Sequence, residues 1–67
     1  MKKISMAAAR KNARMTQAQM AEALRMTRQT YAALESNKSK IKAEDFLLFC
    51  EITGFSPNEI SLHGERN

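Results

Sequence analysis

The sequence predicts an all-α domain of five short helices. Three observations lead there. Strong helix formers (Ala, Met, Leu, Lys, Arg, Gln) dominate, and breakers are scarce, with two glycines and one proline in 67 residues. Ser and Thr stand at helix-cap spacing ahead of apolar-periodic runs. No stretch alternates as a half-buried strand does.

Ser5 caps a first helix running to about Ala13, with Met6 and Ala9 inward and Arg10, Lys11 and Arg14 more exposed. Thr16 begins the second. Its hydroxyl can accept from the Gln19 amide while the Gln19 side chain reaches back, a T-x-x-Q capping box. Met20, Ala21 and Leu24 form that helix's apolar stripe. Thr27 opens a third helix with Tyr31 and Leu34 inward, and Asn37 suits the left-handed residue that ends it. Residues 38–42 form a basic connector. A fourth helix starts near Ala43, with Glu44 and Asp45 in its first turn where the helix dipole favours anions, and Gly54 stops it. Ser56, Pro57, Asn58 and Glu59 form another capping signature, which starts a short fifth helix holding Ile60 and Leu62. Residues 63–67 read as a frayed tail.

A chain of this length makes one domain, residues 1–67, with a modest core. At roughly 0.05–0.15 kcal/mol per residue its stability is only about 3–10 kcal/mol. Cys50 is the single cysteine and His63 the single histidine, so neither an internal disulfide nor a zinc site is available and no cofactor is expected. A partner subunit is the remaining supplement. No apolar run approaches a membrane span, and the N-terminus is too short and too charged for a signal peptide. The free cysteine fits a reducing cytosol. The formal charge of +4 suits a polyanionic partner without specifying one.

The informative stretch is residues 16–38. Two short capped helices are separated by only Arg25 and Met26, and a gap that short makes them cross steeply. That is the helix-turn-helix arrangement, whose second helix enters the DNA major groove. The same spacing also describes an ordinary corner between two helices of an unrelated bundle. The outward residues of the second helix favour DNA: Thr27, Arg28, Gln29, Ala32, Ala33 and Ser36, with no acid before Glu35. Arg pairs with guanine and Gln with adenine, while two alanines let the helix approach base edges and thymine methyls.

The run Thr16-Gln17-x-x-Met20-Ala21, then Thr27-Arg28-Gln29-Thr30, then Leu34-Glu35-Ser36-Asn37-Lys38 resembles the phage repressor and Cro (XRE-like) helix-turn-helix family over about residues 4–62. The resemblance implies a compact five-helix, lambda-repressor-like domain, with the helix-turn-helix over about 16–36 and a recognition helix over about 28–36. It implies operator binding by a two-fold dimer, in a bacterial or phage-encoded cytoplasmic protein associated with DNA. Arg28 and Gln29 match the principal base-reading positions, and Ala32 and Ala33 the next along the groove. Gln17 matches a phosphate-contacting residue that also supports the recognition helix. Thr27 and Thr30 match supporting positions at that helix's start, and Asn37, Lys38 and Lys40 the loop that meets phosphates. Arg10 and Glu35 match a pair forming a buried salt bridge, although the residue pattern alone would leave Arg10 solvated. Arg14, Arg25 and Asn37 depart from the family by standing where glycine is common. The first two then require positive φ or a different turn, and both add charge near the DNA side.

The fourth helix is apolar almost all round. With Phe46, Phe49 and Cys50 inward, Leu48 and Ile52 remain, and with Phe55, Ile60 and Leu62 they form a candidate dimer surface; a wholly buried helix is the alternative. No carboxylate pair, Ser-His-Asp set or phosphate-cradling loop points to an enzyme. Cys50 among phenylalanines reads as an inert thiol, and the five methionines as core packing. The alternative function is a protein-interaction module, such as an antitoxin or regulatory adaptor, on the same fold.

Overall fold

The computed structural model describes residues 3–36 and 38–62. In chain order these form β1 (Ile4–Ser5), α1 (Met6–Asn12), α2 (Gln17–Ala23), α3 (Arg28–Glu35), α4 (Ala43–Thr53), a 3-10 turn (Pro57–Glu59) and β2 (Ile60–Ser61). One core joins them. Met6 and Ala9 of α1, Met20 and Ala21 of α2, Tyr31 and Leu34 of α3, and Phe49 and Cys50 of α4 are all buried in it.

Local chemistry begins the first three helices. The Ser5 hydroxyl accepts from the Ala8 N–H at 3.0 Å. Thr16 accepts from the Gln19 N–H at 3.1 Å, and the Gln19 carbonyl oxygen accepts from the Thr16 N–H at 2.9 Å, so the capping box is complete. Thr27 accepts from the Thr30 N–H at 3.0 Å. Each such cap is worth about 1 kcal/mol.

α1 and α2 also end alike. The Arg14 N–H donates to the Lys11 carbonyl at 2.9 Å and the Met15 N–H to the Arg10 carbonyl at 3.3 Å. One helix later, the Arg25 N–H donates to the Glu22 carbonyl at 3.0 Å and the Met26 N–H to the Ala21 carbonyl at 2.9 Å. These are Schellman closures, which need a left-handed residue just past the helix. Arg14 has φ +62° and Arg25 φ +61°, the only described non-glycine residues with positive φ. Each costs about 1–2 kcal/mol in that region. The tripeptide Arg-Met-Thr occurs at 14–16 and again at 25–27, and its parts do the same work both times. The arginine closes one helix, the half-buried methionine packs on the core, and the threonine caps the next helix. After α3 the Lys38 N–H donates to the Ala33 carbonyl at 2.9 Å. Asn37, expected from the sequence to be the left-handed residue there, lies outside the described residues.

Two expectations are corrected. The fifth helix is a single 3-10 turn: the Glu59 N–H donates to the Ser56 carbonyl at 2.9 Å, and the Glu59 carboxylate accepts from the Ser56 N–H at 2.8 Å. Pro57, Asn58 and Glu59 offer no apolar stripe for a longer helix to bury. Instead the chain extends at Ile60, and β2 pairs in parallel with β1, Ile4 opposite Ile60 and Ser5 opposite Ser61. The second correction follows. Ile60 is 1% exposed and belongs to the core, not to a dimer surface. Leu48, Ile52, Phe55 and Leu62 remain at least partly accessible. Gly54, at φ +85°, closes α4 as its position predicts.

Candidate nucleic-acid interface

α3 is held from behind by a buried polar cluster. The Arg10 Nε donates to Glu35 Oε2 at 2.7 Å and its Nη2 reaches Oε1 at 3.4 Å. The side chains of this ion pair are only 10% and 8% exposed. Arg10 Nη1 donates to the Met15 carbonyl at 2.8 Å, and Gln17 Nε2 donates to Glu35 Oε1 at 3.0 Å. The Glu35 carboxylate at the end of α3 therefore ties α1 to the first residue of α2, and Arg10 also holds the turn between them. Arg10 is buried, unlike the solvated placement that helical periodicity alone gives it.

Burial by itself pushes the Glu35 carboxyl up, but the Arg10 hydrogen bond, the Tyr31 hydroxyl and the Gln17 amide outweigh it and hold it below the ordinary carboxylate range. The Glu35 hydrogen bond likewise raises Arg10, against desolvation. Tyr31 is pushed well above the usual phenol range, first by burial and then by the close approach of the Glu35 carboxylate and its charge. Its hydroxyl has no hydrogen bond of good geometry among the described residues. Burial also raises the Cys50 thiol, which keeps it protonated.

With Glu35 turned inward, the outward side of α3 carries no free acid. Arg28 and Gln29 are exposed in its first turn, and neither α2 nor α3 has an acidic residue in its first turn. The Thr27 hydroxyl donates to Thr30 Oγ1 at 2.8 Å, so the two threonines brace that end. Ala32 and Ala33 are half-buried, further from solvent than Arg28 and Gln29. Past α3, Lys38 and Lys40 are exposed. So is Lys42, the last residue of the basic connector and the N-cap of α4. Gln17 keeps a second amide N–H for an outward acceptor while its first holds Glu35. The candidate dimer residues lie apart from this face, on α4 and the segments after it.

A profile of the helix-turn-helix family matches residues 6–60 of the chain. The chain belongs to the XRE-like helix-turn-helix family. No curated protein and no solved structure matches it. The family is one of DNA-binding transcriptional regulators, and this helix-turn-helix protein has the two helices, the short turn and the basic outward face that such binding needs. No helix among the described residues is long and apolar enough to cross a membrane.

Proposed function

We propose that this helix-turn-helix protein is a repressor or Cro-like switch that binds a palindromic operator as a homodimer, with α3 in the major groove. The observation that supports it most is the outward face of α3: Arg28 and Gln29 exposed beside small Ala32 and Ala33, with the helix's one acid engaged behind it. Arg28 reads guanine and Gln29 reads adenine in each half-site, each pair contributing about 1–3 kcal/mol of discrimination. Lys38 and Lys40, with Asn37 between them and α3, hold phosphates on one side, and Gln17 with Thr27 and Thr30 supports the start of the two helices. Half-sites on one face of B-DNA are about 34–36 Å apart, and each copy offers one α3, so a palindrome takes two copies.

Selection from random duplex DNA tests the reading. A palindrome should be enriched. Arg28→Ala and Gln29→Ala should each relax preference at one position per half-site. Lys38→Ala should weaken all sequences alike and reduce the salt slope by about one unit per bound subunit. Binding that follows salt with no enriched sequence would overturn operator recognition.

A further inference from the structure

We infer that Arg14 and Arg25 are a pair of phosphate clamps, one at each end of α2, that grip the DNA backbone on either side of the groove occupied by α3. The inference rests on the DNA-binding reading above and adds two residues to it. Both positions are left-handed, φ +62° and +61°, where glycine is the unstrained choice, and both hold arginine. Both side chains are exposed, and neither makes an ion pair or a side-chain hydrogen bond within the described residues. The carboxylate of Glu22, the acid nearest to Arg25 in sequence, makes no ion pair with its guanidinium. Nothing among the described residues therefore accounts for either guanidinium.

Their placement accounts for both. Arg14 stands two residues before the Thr16 cap of α2, and Arg25 two residues before the Thr27 cap of α3. Each thus precedes the first turn of one helix of the helix-turn-helix, three residues ahead of Gln17 and Arg28 respectively. The seven residues of α2 rise about 10 Å, close to the roughly 12 Å width of the major groove. A helix of that length lying across the groove brings its two ends near opposite backbones. The helix closures account for the left-handed backbone but not for arginine in place of glycine, which would close them without strain. Arginine meets phosphate oxygens with a planar fork of donors, which lysine lacks.

The test separates strain from charge with three substitutions at each position. Glycine removes both, glutamine keeps the left-handed strain but removes the charge, and lysine keeps the charge. Affinity is read by fluorescence anisotropy on the selected operator and on a mixed-sequence duplex, from 50 to 200 mM salt. Arg→Gly and Arg→Gln should each flatten the salt slope by about 0.9 per bound subunit, so the wild-type advantage shrinks about threefold over that range for each arginine removed. The loss should be equal on both duplexes, and Arg→Lys should retain the slope. Arg→Gly alone should raise the melting temperature, by about 4–8 °C at each position. A tighter fold with weaker DNA binding is an outcome that a purely structural arginine cannot give. Unchanged slopes in the glutamine variants, with operator preference intact, would overturn the clamps and leave the reader of α3 standing. Failure of the wild type to bind either duplex would overturn both.

Discussion

Glu35 receives hydrogen bonds from Arg10 and Gln17 and lies beside the Tyr31 hydroxyl, so the one acid of α3 has its charge engaged within the fold. An ion pair this buried is weak evidence of net stability, because desolvating both charges offsets their attraction; removing one partner nevertheless strands the other. Glu35→Gln should therefore destabilise the fold by about 3–5 kcal/mol, a large share of the total. The carboxyl is depressed in the folded state, so its contribution is present above the unfolded value of about 4.3 and is lost as pH falls through the folded value. Wild-type melting temperature, followed by circular dichroism from pH 7 to pH 3, should fall through that acid range. The Glu35→Gln curve should start lower and fall less. Parallel curves would remove Glu35 as the titrating group. This pair illustrates what residue patterns can carry: helical spacing alone leaves Arg10 on the surface, and only its combination with Glu35 in the family motif points to a buried bridge. The partners are 25 residues apart, beyond the reach of any local signal.

Among elements, those set by neighbours in sequence are legible and those set by distant pairing are not. Ser5, Thr16 and Thr27 cap helices through bonds spanning three residues, and Gly54 ends α4 by its own φ, so the four helices can be read from punctuation. The β1–β2 pair is only two residues long on each side, too short for alternation to show, and its strands are brought together by the whole fold. The capping signature at Ser56 is real, but a cap does not set how far a helix runs. Beyond Glu59 the β-branched Ile60 is extended, pairs with Ile4 and is buried in the core. Ile60→Ala should cost about 2–5 kcal/mol, as a core truncation does. Urea unfolding at several protein concentrations checks it. The penalty should be the same in dilute, monomeric samples as in concentrated ones, whereas an interface residue would lose its penalty on dilution.

At the scale of the molecule, the charge and the apolar surface divide between two regions. Exposed Arg14, Arg25, Arg28, Lys38 and Lys40 lie on or beside α2 and α3, while the exposed large apolar side chains among the described residues are Leu47 and Leu48 on α4, 56% and 38% accessible. Leu48 is expected outward from the sequence but its more exposed neighbour is not, because a helix apolar on every side gives no periodicity from which to choose the outward residues. Ile52, one turn from Leu48, packs partly on the core. An open groove of about 530 Å³, lined by Leu47, Gly54, Phe55 and Pro57 among others, runs from this surface towards the 3-10 turn. The proposed dimer, built on α4, would cover the leucines and leave α3, a separate element, for DNA. Leu48→Glu places a charge in that interface without touching the buried core. The variant should keep the wild-type fold by circular dichroism and sediment as a monomer at concentrations where the wild type is a dimer. Its affinity for the intact palindrome should fall at least about tenfold, the loss of at least 1.4 kcal/mol of coupling between half-sites. Binding to an isolated half-site should be unchanged. If the variant remains dimeric and cooperative, the two-fold interface lies elsewhere than α4, and the exposed leucines are then open to a different protein.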